Sequence, residues 1–195
     1  MSEELNLESI KSNINSDDYM FEICAKYVGE TFGNIIEIGA GDGSSTRNFL
    51  KISKTFNKKV IVIDPFENGW KDMPASYGSP YPYEKFKEKI SDLKENCIEI
   101  RKSSQDKTVI DDVHEFLPVS FSFIDGLQYK NAVLNDLNLV DSLDSKVICL
   151  DDYSRLTEIS QVPLAVEEFL NLNGNKYHFF SDGRKERSKA FLIRK

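Results

Sequence analysis

Four apolar runs in this chain stop at, or beside, an acidic residue. Ile35-Ile36-Glu37-Ile38 carries Glu37 near its end, Val60–Ile63 runs into Asp64, Phe121–Ile124 into Asp125, and Val147–Leu150 into the pair Asp151-Asp152. Where β-strands lie parallel, ligands bind outside their carboxyl ends, so residues at these positions share one rim. A carboxylate there accepts the hydroxyls of a ribose. Two carboxylates after one strand and a third after its neighbour form an all-oxygen set. Such a set repels itself when unneutralised, and a hard cation such as Mg²⁺ relieves that by taking one or two carboxylates with water and substrate oxygens. The plainer alternative is that Asp151 or Asp152 caps a helix and Asp125 sits in a turn.

The first of these runs continues into Gly39-Ala40-Gly41-Asp42-Gly43. Glycines at alternate positions let a ligand lie against bare backbone, because a Cβ would block the approach or forbid the angles. The spacing is Glu-x-Gly-x-Gly-x-Gly. It is neither the Gly-x-Gly-x-x-Gly of dinucleotide sites nor a P-loop, since no Lys-Ser/Thr pair follows. Glu37 either faces a ligand's ammonium group or anchors the glycine turn by accepting backbone N–H bonds. Asp64, ending the next strand, is the candidate ribose acceptor. Ser103 and Ser104 follow the third strand, where the edge of a purine would lie, although serines are common in any turn.

The elements that must position these residues read as follows. Asp17 and Asp18 can cap a helix with Met20, Cys24, Tyr27 and Val28 on one face, so residues 1–33 form an N-terminal helical segment. Helices are predicted after Ser44 or Ser45 with Phe49 and Leu50 inward, over Phe86, Ile90 and Leu93, weakly over 104–116, over Val133, Leu137 and Val140, and over Val162, Ala165, Val166 and Phe169. Strands are predicted at 35–38, 60–63, 97–100, 121–124, 147–150, 177–180 and 190–193. Alternating strands and helices make an α/β fold with a mostly parallel sheet. The last two strands lack an intervening helix and form a hairpin, which makes one strand antiparallel. Residues 65–83 form a lid-like insertion rich in Pro, Gly and aromatics, with Trp70, Tyr77, Tyr81 and Tyr83 as candidate stacking or hydrogen-bonding groups.

The bulk properties narrow the function classes. The 195 residues fit one domain, and 40% hydrophobic with 29% charged residues is ordinary for a globular chain. A formal net charge of −7 argues against nucleic acid as a partner. Cys24, Cys97 and Cys149 are far apart and lack a Cys-x-x-Cys spacing, so they read as reduced, buried thiols of a cytoplasmic protein. No apolar stretch is long enough to span a bilayer, and the polar residues 1–11 are no secretory leader. His114 and His178 lie away from strand ends and read as structural. Without a Gly-x-Ser-x-Gly elbow, a serine hydrolase is unsupported.

Three blocks carry a family resemblance: Ile36-Glu37-Ile38-Gly39-Ala40-Gly41-Asp42-Gly43-Ser44-Ser45-Thr46, then Phe123-Ile124-Asp125-Gly126 leading into Val133-Leu134-Asn135-Asp136-Leu137, and Ile148-Cys149-Leu150-Asp151-Asp152-Tyr153. The chain resembles class I S-adenosylmethionine (SAM) methyltransferases, and within them the methyltransferase family 24 group and macrocin-type sugar O-methyltransferases. The resemblance implies a Rossmann-like, seven-stranded sheet with helices on both faces. It implies SAM held around Glu37, Gly39, Gly41 and Asp64; Ser103, Ser104 and Asp125 join the candidate cofactor set from their places after strands. It also implies a divalent metal, Mg²⁺, on Asp125, Asp151 and Asp152. Such a metal would lower the pKa of an acceptor hydroxyl, and Asp125 or Asp152 is the candidate to assist proton removal from a small hydroxylated acceptor such as a sugar. The alternatives are a metal-independent enzyme acting on an amine or carboxylate, and a non-catalytic binding module. Related enzymes often assemble, so a homo-oligomer is in keeping. One departure stands out: Gln128 occupies the place where the family often has histidine, and Tyr129 and Lys130 follow it.

Overall fold

A computed structural model describes residues 19–66, 81–154, 160–185 and 187–195. In chain order the elements are α1 (Tyr19–Glu30), β1 (Asn34–Ile38), α2 (Ser44–Thr55), β2 (Val60–Ile63), α3 (Tyr83–Ile90), β3 (Cys97–Ile100), α4 (Val109–His114), β4 (Val119–Ile124), α5 (Lys130–Ser142), β5 (Val147–Leu150), α6 (Val162–Asn173), β6 (Tyr177–Ser181) and β7 (Ala190–Arg194). The strands form a seven-stranded sheet in the order β3-β2-β1-β4-β5-β7-β6. All pairs are parallel except those of β7, which runs antiparallel to both β5 and β6.

The apolar runs are continuous because both faces of the sheet are covered, and successive side chains serve opposite faces. Ile35, Val60, Val62, Phe121, Phe123, Val147 and Cys149 point to one core, closed by α1, α2 and α3. Ile36, Ile61, Ile63, Ile124, Ile148 and Leu150 point to the other, closed by α4, α5 and α6. The helices bury the stripes expected of them: Met20, Cys24 and Val28 from α1, Phe49 and Leu50 from α2, Phe86 and Ile90 from α3, Val133, Leu137 and Val140 from α5, and Val162, Ala165, Val166 and Phe169 from α6.

Two expectations need adjustment. Helix α4 covers only Val109–His114, not 104–116. Asp106 draws the preceding residues into a turn by accepting from the Thr108 N–H and hydroxyl, both at 2.9 Å, a local bond that competes with helix. Leu93 lies beyond the end of α3 yet still packs on the first core. Cys24 and Cys149 are buried free thiols as expected, while Cys97 is half-buried. Among the described residues no helix is long and apolar enough to cross a membrane. Asp17, Asp18, Trp70 and Tyr77 lie outside the described residues.

Candidate active site

Register decides which side chains meet. Ile63, Ile38, Ile124 and Leu150 are level across β2, β1, β4 and β5. The residues that follow them, Asp64, Gly39, Asp125 and Asp151, therefore stand in one row at the carboxyl rim of the sheet. The ladder continues into that row, with Gly39 N–H donating to Ile63 O at 3.0 Å, Asp125 N–H to Ile38 O at 2.8 Å and Asp151 N–H to Ile124 O at 3.0 Å.

The glycine turn has φ of 86° at Gly39, 55° at Gly41 and 84° at Gly43. At Gly39 a side chain is excluded by protein as well as by φ, because a Cβ there would lie 2.3 Å from the Asp125 carbonyl oxygen. Gly41 faces outward beneath the half-exposed ring of Tyr81, which a Cβ would meet at 3.4 Å. Asp64 fastens this turn: one carboxylate oxygen accepts from the N–H groups of Ala40 (2.7 Å) and Gly41 (3.1 Å), and the other from Phe66 (2.6 Å). The first oxygen is filled by its two N–H donors, and Oδ1 keeps one lone pair for a ligand hydroxyl.

Glu37 is fully buried. Of its two expected roles, the geometry provides an anchor, but to hydroxyls in the first turn of α2 in place of the glycine backbone. It accepts from Ser45 Oγ and from Thr46 Oγ1. Burial pushes its carboxyl up to about 7, against the pull of those hydroxyls, and Asp64 adds to the rise.

Ser103 and Ser104 lie past β3 against α5. Gln105 donates its side-chain N–H to Ser104 Oγ at 3.2 Å and to Asp136 Oδ1 at 3.0 Å, and Asn135 donates to the Ser104 carbonyl at 3.0 Å. Asp136 is fully buried, and its Oδ2 has no hydrogen-bond partner. The sequence signal was its place on the Val133, Leu137 and Val140 stripe, where an acid is out of character. Desolvation raises its carboxyl from 3.8 to about 7, opposed by bonds from Ser104, Asn135 and Gln105. The folded state thus retains a proton that the unfolded chain has released. The stability this group adds is complete below pH ~4 and is lost as pH rises to about 7. Asp136→Asn removes that loss. In urea unfolding, the stability of the variant relative to wild type should improve between pH 4 and 8 by on the order of 1–4 kcal/mol, whereas parallel pH profiles would contradict the assignment.

Beside this half of the rim lies a shallow recess, partly open to solvent, between the ends of β4 and β5. Ile124, Leu150 and Val162 line it together with Asp125, Gln128 and Asp151, and its surface is mostly apolar. Crowding by protein, then the charges of Asp151 and Asp152, push the Asp125 carboxyl well above the ordinary carboxylate range, while Lys189 pulls it down. The outer side of Asp125 meets solvent, and water there offsets part of the desolvation. Asp152, with φ of 52°, is turned inward and accepts from Gln128 Nε2 at 2.6 Å. Gln128, the departure noted in the sequence, therefore works as a donor to Asp152.

The expected three-carboxylate metal centre on Asp125, Asp151 and Asp152 does not assemble. Among the described residues, no group of three His, Cys, Asp or Glu side chains converges on a point where a metal ion could sit. The reason is local. Asp151 Oδ1 already accepts from Lys189 Nζ and from the Asp152 N–H, each at 2.8 Å, and Asp152 faces Gln128. Lys189 was not among the expected site residues. It precedes β7, and a reading confined to strand ends passes over strand starts, although an antiparallel strand brings its start to this rim.

The remaining expected residues separate. His114 and His178 are exposed, on α4 and on the edge strand β6. Of the lid candidates, Tyr81 lies beside the glycine turn. Tyr83 instead belongs to the packing of α3: its hydroxyl donates to Glu99 Oε2 at 2.5 Å, its ring centroid lies 5.1 Å from that of Phe66, and the Arg101 guanidinium covers it at 3.9 Å.

Neither protein-family models nor curated protein sequences match this chain. Solved structures do match its shape. CalS11 in its apo form, described as a TDP-rhamnose 3'-O-methyltransferase of calicheamicin biosynthesis, superimposes with a TM-score of 0.62 at 16% identity, covering 96% of this chain and 78% of that one. Cofactor-bound Rv0187 from MTB gives a TM-score of 0.63 at 13% identity, covering 96% and 87% of the two chains. An O-methyltransferase from Bacillus cereus in complex with SAH gives 0.59 at 13% identity, covering 96% and 90%. At these identities the likeness speaks of architecture: the chain has the Rossmann-like fold that these methyltransferases share.

Proposed function

We propose that the protein is a SAM-dependent methyltransferase that methylates an oxygen of a small hydroxylated molecule, such as a sugar. The observation that carries this reading is the single row of Gly39, Asp64, Asp125 and Asp151 at the carboxyl rim. It sets the start of the glycine turn beside a recess that Asp125 and Asp151 help to line.

The residues fit the cofactor. Gly41 presents backbone without a Cβ beside the Tyr81 ring, Asp64 Oδ1 has a lone pair left for a ribose hydroxyl, and Ser103 and Ser104 follow the next strand end. SAM, when bound, supplies a methyl carbon made electrophilic by its sulfonium. The chain's task is then to align the acceptor oxygen and to exclude water, and orientation of that kind lowers barriers by up to roughly 7–11 kcal/mol in favourable cases. The apolar side chains of Ile124, Leu150 and Val162 disfavour water in the recess. Asp125, the carboxylate open to it, accepts the hydroxyl proton as the new oxygen–carbon bond forms. Asp152 is inward and held by Gln128, which leaves proton removal to Asp125. The donor set does not fit a divalent metal, and no step here runs through one.

CalS11, with its sugar substrate, and the Bacillus cereus O-methyltransferase lend support to oxygen as the methylated atom. The test is isothermal titration of the protein with S-adenosylhomocysteine, followed by transfer of a tritiated methyl group from SAM to a panel of sugar nucleotides, catechols and small amines. Binding with label on a hydroxylated acceptor is the expected result. A folded protein that takes up no S-adenosylhomocysteine would sink the reading, and label only on amines would reassign the acceptor.

A further inference from the structure

The acidic rim holds a cation of its own. Because β7 runs antiparallel, Ala190 pairs with Leu150, and the residue before it arrives opposite Asp151. That residue is Lys189, only 5% exposed. Its Nζ donates to Asp151 Oδ1 at 2.8 Å and lies 5.2 Å from the centroid of the Phe123 ring. Its backbone is fastened on both sides. Lys189 N–H donates to Asp182 Oδ1, and Asp182 N–H donates to the Lys189 carbonyl, each at 3.1 Å. Ser188 accepts from Tyr153 N–H at 2.8 Å and donates its own N–H to Ser154 Oγ at 3.1 Å. The strand start and the Asp151–Ser154 segment are thus stitched together, with the ammonium between them.

A lysine is rarely buried unless a specific partner repays its desolvation. Here the partner is the carboxylate that the family resemblance marks as a metal ligand. Both bonds to Asp151 fall on Oδ1, so a divalent ion there would be confined to the other oxygen and would stand beside the ammonium. An ammonium on a strand start needs no loading from solution, but it can neutralise only one carboxylate. That matches the arrangement seen, with Asp151 on Lys189, Asp152 on Gln128, and Asp125 open to the recess.

We propose that Lys189 takes the place of the divalent cation at this rim. It is a positioning residue that neutralises Asp151, fixes it in the lining of the recess and makes methyl transfer independent of metal. The proposal rests on the function proposed above only for its activity readout. Its test has two arms. In the first, wild-type protein is titrated with Mn²⁺ and bound ion is followed by electron paramagnetic resonance, with and without S-adenosylhomocysteine. The expected result is no stoichiometric Mn²⁺ site, and one bound Mn²⁺ per chain would overturn the proposal. This arm decides the matter even if the protein binds no S-adenosylhomocysteine, a result that would count against the proposed function alone. In the second, methyl transfer is measured after exhaustive EDTA treatment and in Lys189→Met and Lys189→Arg. Expected are an unchanged rate in EDTA, a fall in kcat on the order of 100-fold in Lys189→Met with S-adenosylhomocysteine affinity kept, and substantial recovery in Lys189→Arg. Loss of activity in EDTA, or full activity in Lys189→Met, would overturn it. Should Lys189→Met fail to fold, the wild-type Mn²⁺ and EDTA measurements still decide.

Discussion

Gly39→Ala is expected to cost about 3–5 kcal/mol of folding stability and to abolish S-adenosylhomocysteine binding in whatever fraction stays folded. Two effects add at this position. The backbone has φ of 86°, a conformation that costs a side-chain-bearing residue roughly 1–3 kcal/mol. The new Cβ would also lie 2.3 Å from the Asp125 carbonyl oxygen, 2.5 Å from its carbonyl carbon and 2.7 Å from Gly126 Cα. These are backbone atoms and cannot swing aside, because Asp125 N–H is bonded to Ile38 O at 2.8 Å. Relief requires β1 and β4 to part at the rim, an overpacking cost of roughly 1–3 kcal/mol more. Gly183→Ala is the internal control. Gly183 also has positive φ, at 69°, but a Cβ added there would meet nothing within 4 Å. Urea midpoints of the two variants separate strain from collision. If Gly39→Ala were no less stable than Gly183→Ala, the close approach of the two strand ends would be refuted.

The second large effect is expected at Asp64. Asp64→Ala deprives the N–H groups of Ala40, Gly41 and Phe66 of their acceptor, and Ala40 and Phe66 are buried. Unsatisfied buried donors cost roughly 1–3 kcal/mol each, although local rearrangement and water will recover part of that at the partly open Gly41. The glycine turn then loses its tether on the β2 side. Because a charged acceptor contributes about 1.5–3 kcal/mol per hydrogen bond and Asp64 has one acceptor site left for a ligand, S-adenosylhomocysteine affinity should fall by roughly 10–150-fold. Asp64→Asn keeps one oxygen and should fall between Asp64→Ala and wild type. Titration calorimetry on protein shown to be folded by circular dichroism distinguishes the outcomes. Wild-type affinity in Asp64→Ala would mean that the cofactor does not lie across this strand end.

The strands were legible because a sheet covered on both faces demands unbroken apolar runs, and alternate residues must suit two different cores. Ile35 and Ile36 are adjacent in sequence yet belong to opposite sides of the molecule, which a half-exposed strand would have shown as alternation. Helix α5 was legible from Val133, Leu137 and Val140, and its start from the polar stretch after Asp125. Helix α4 was read too long because side-chain bonds at Asp106 compete with the backbone pattern, and periodicity does not register them.

The row of acids followed from local rules: a strand must end, a carboxylate suits the turn that ends it, and parallel strands present their ends together. What those acids do there depends on partners far away in sequence. Asp64 turned out to hold the glycine turn, and Glu37 the first turn of α2. Asp136 was buried beside Gln105, which lies 31 residues away. Asp151 met an ammonium 38 residues further on, because strand order and the reversed direction of β7 bring residue 189 to the rim. The chemistry available at each strand end is written locally, since it needs only residue types and turn geometry. The neutralisation of those charges is a tertiary matter, since Coulomb interactions and hydrogen bonds follow distance in space, and only the packed sheet sets that distance.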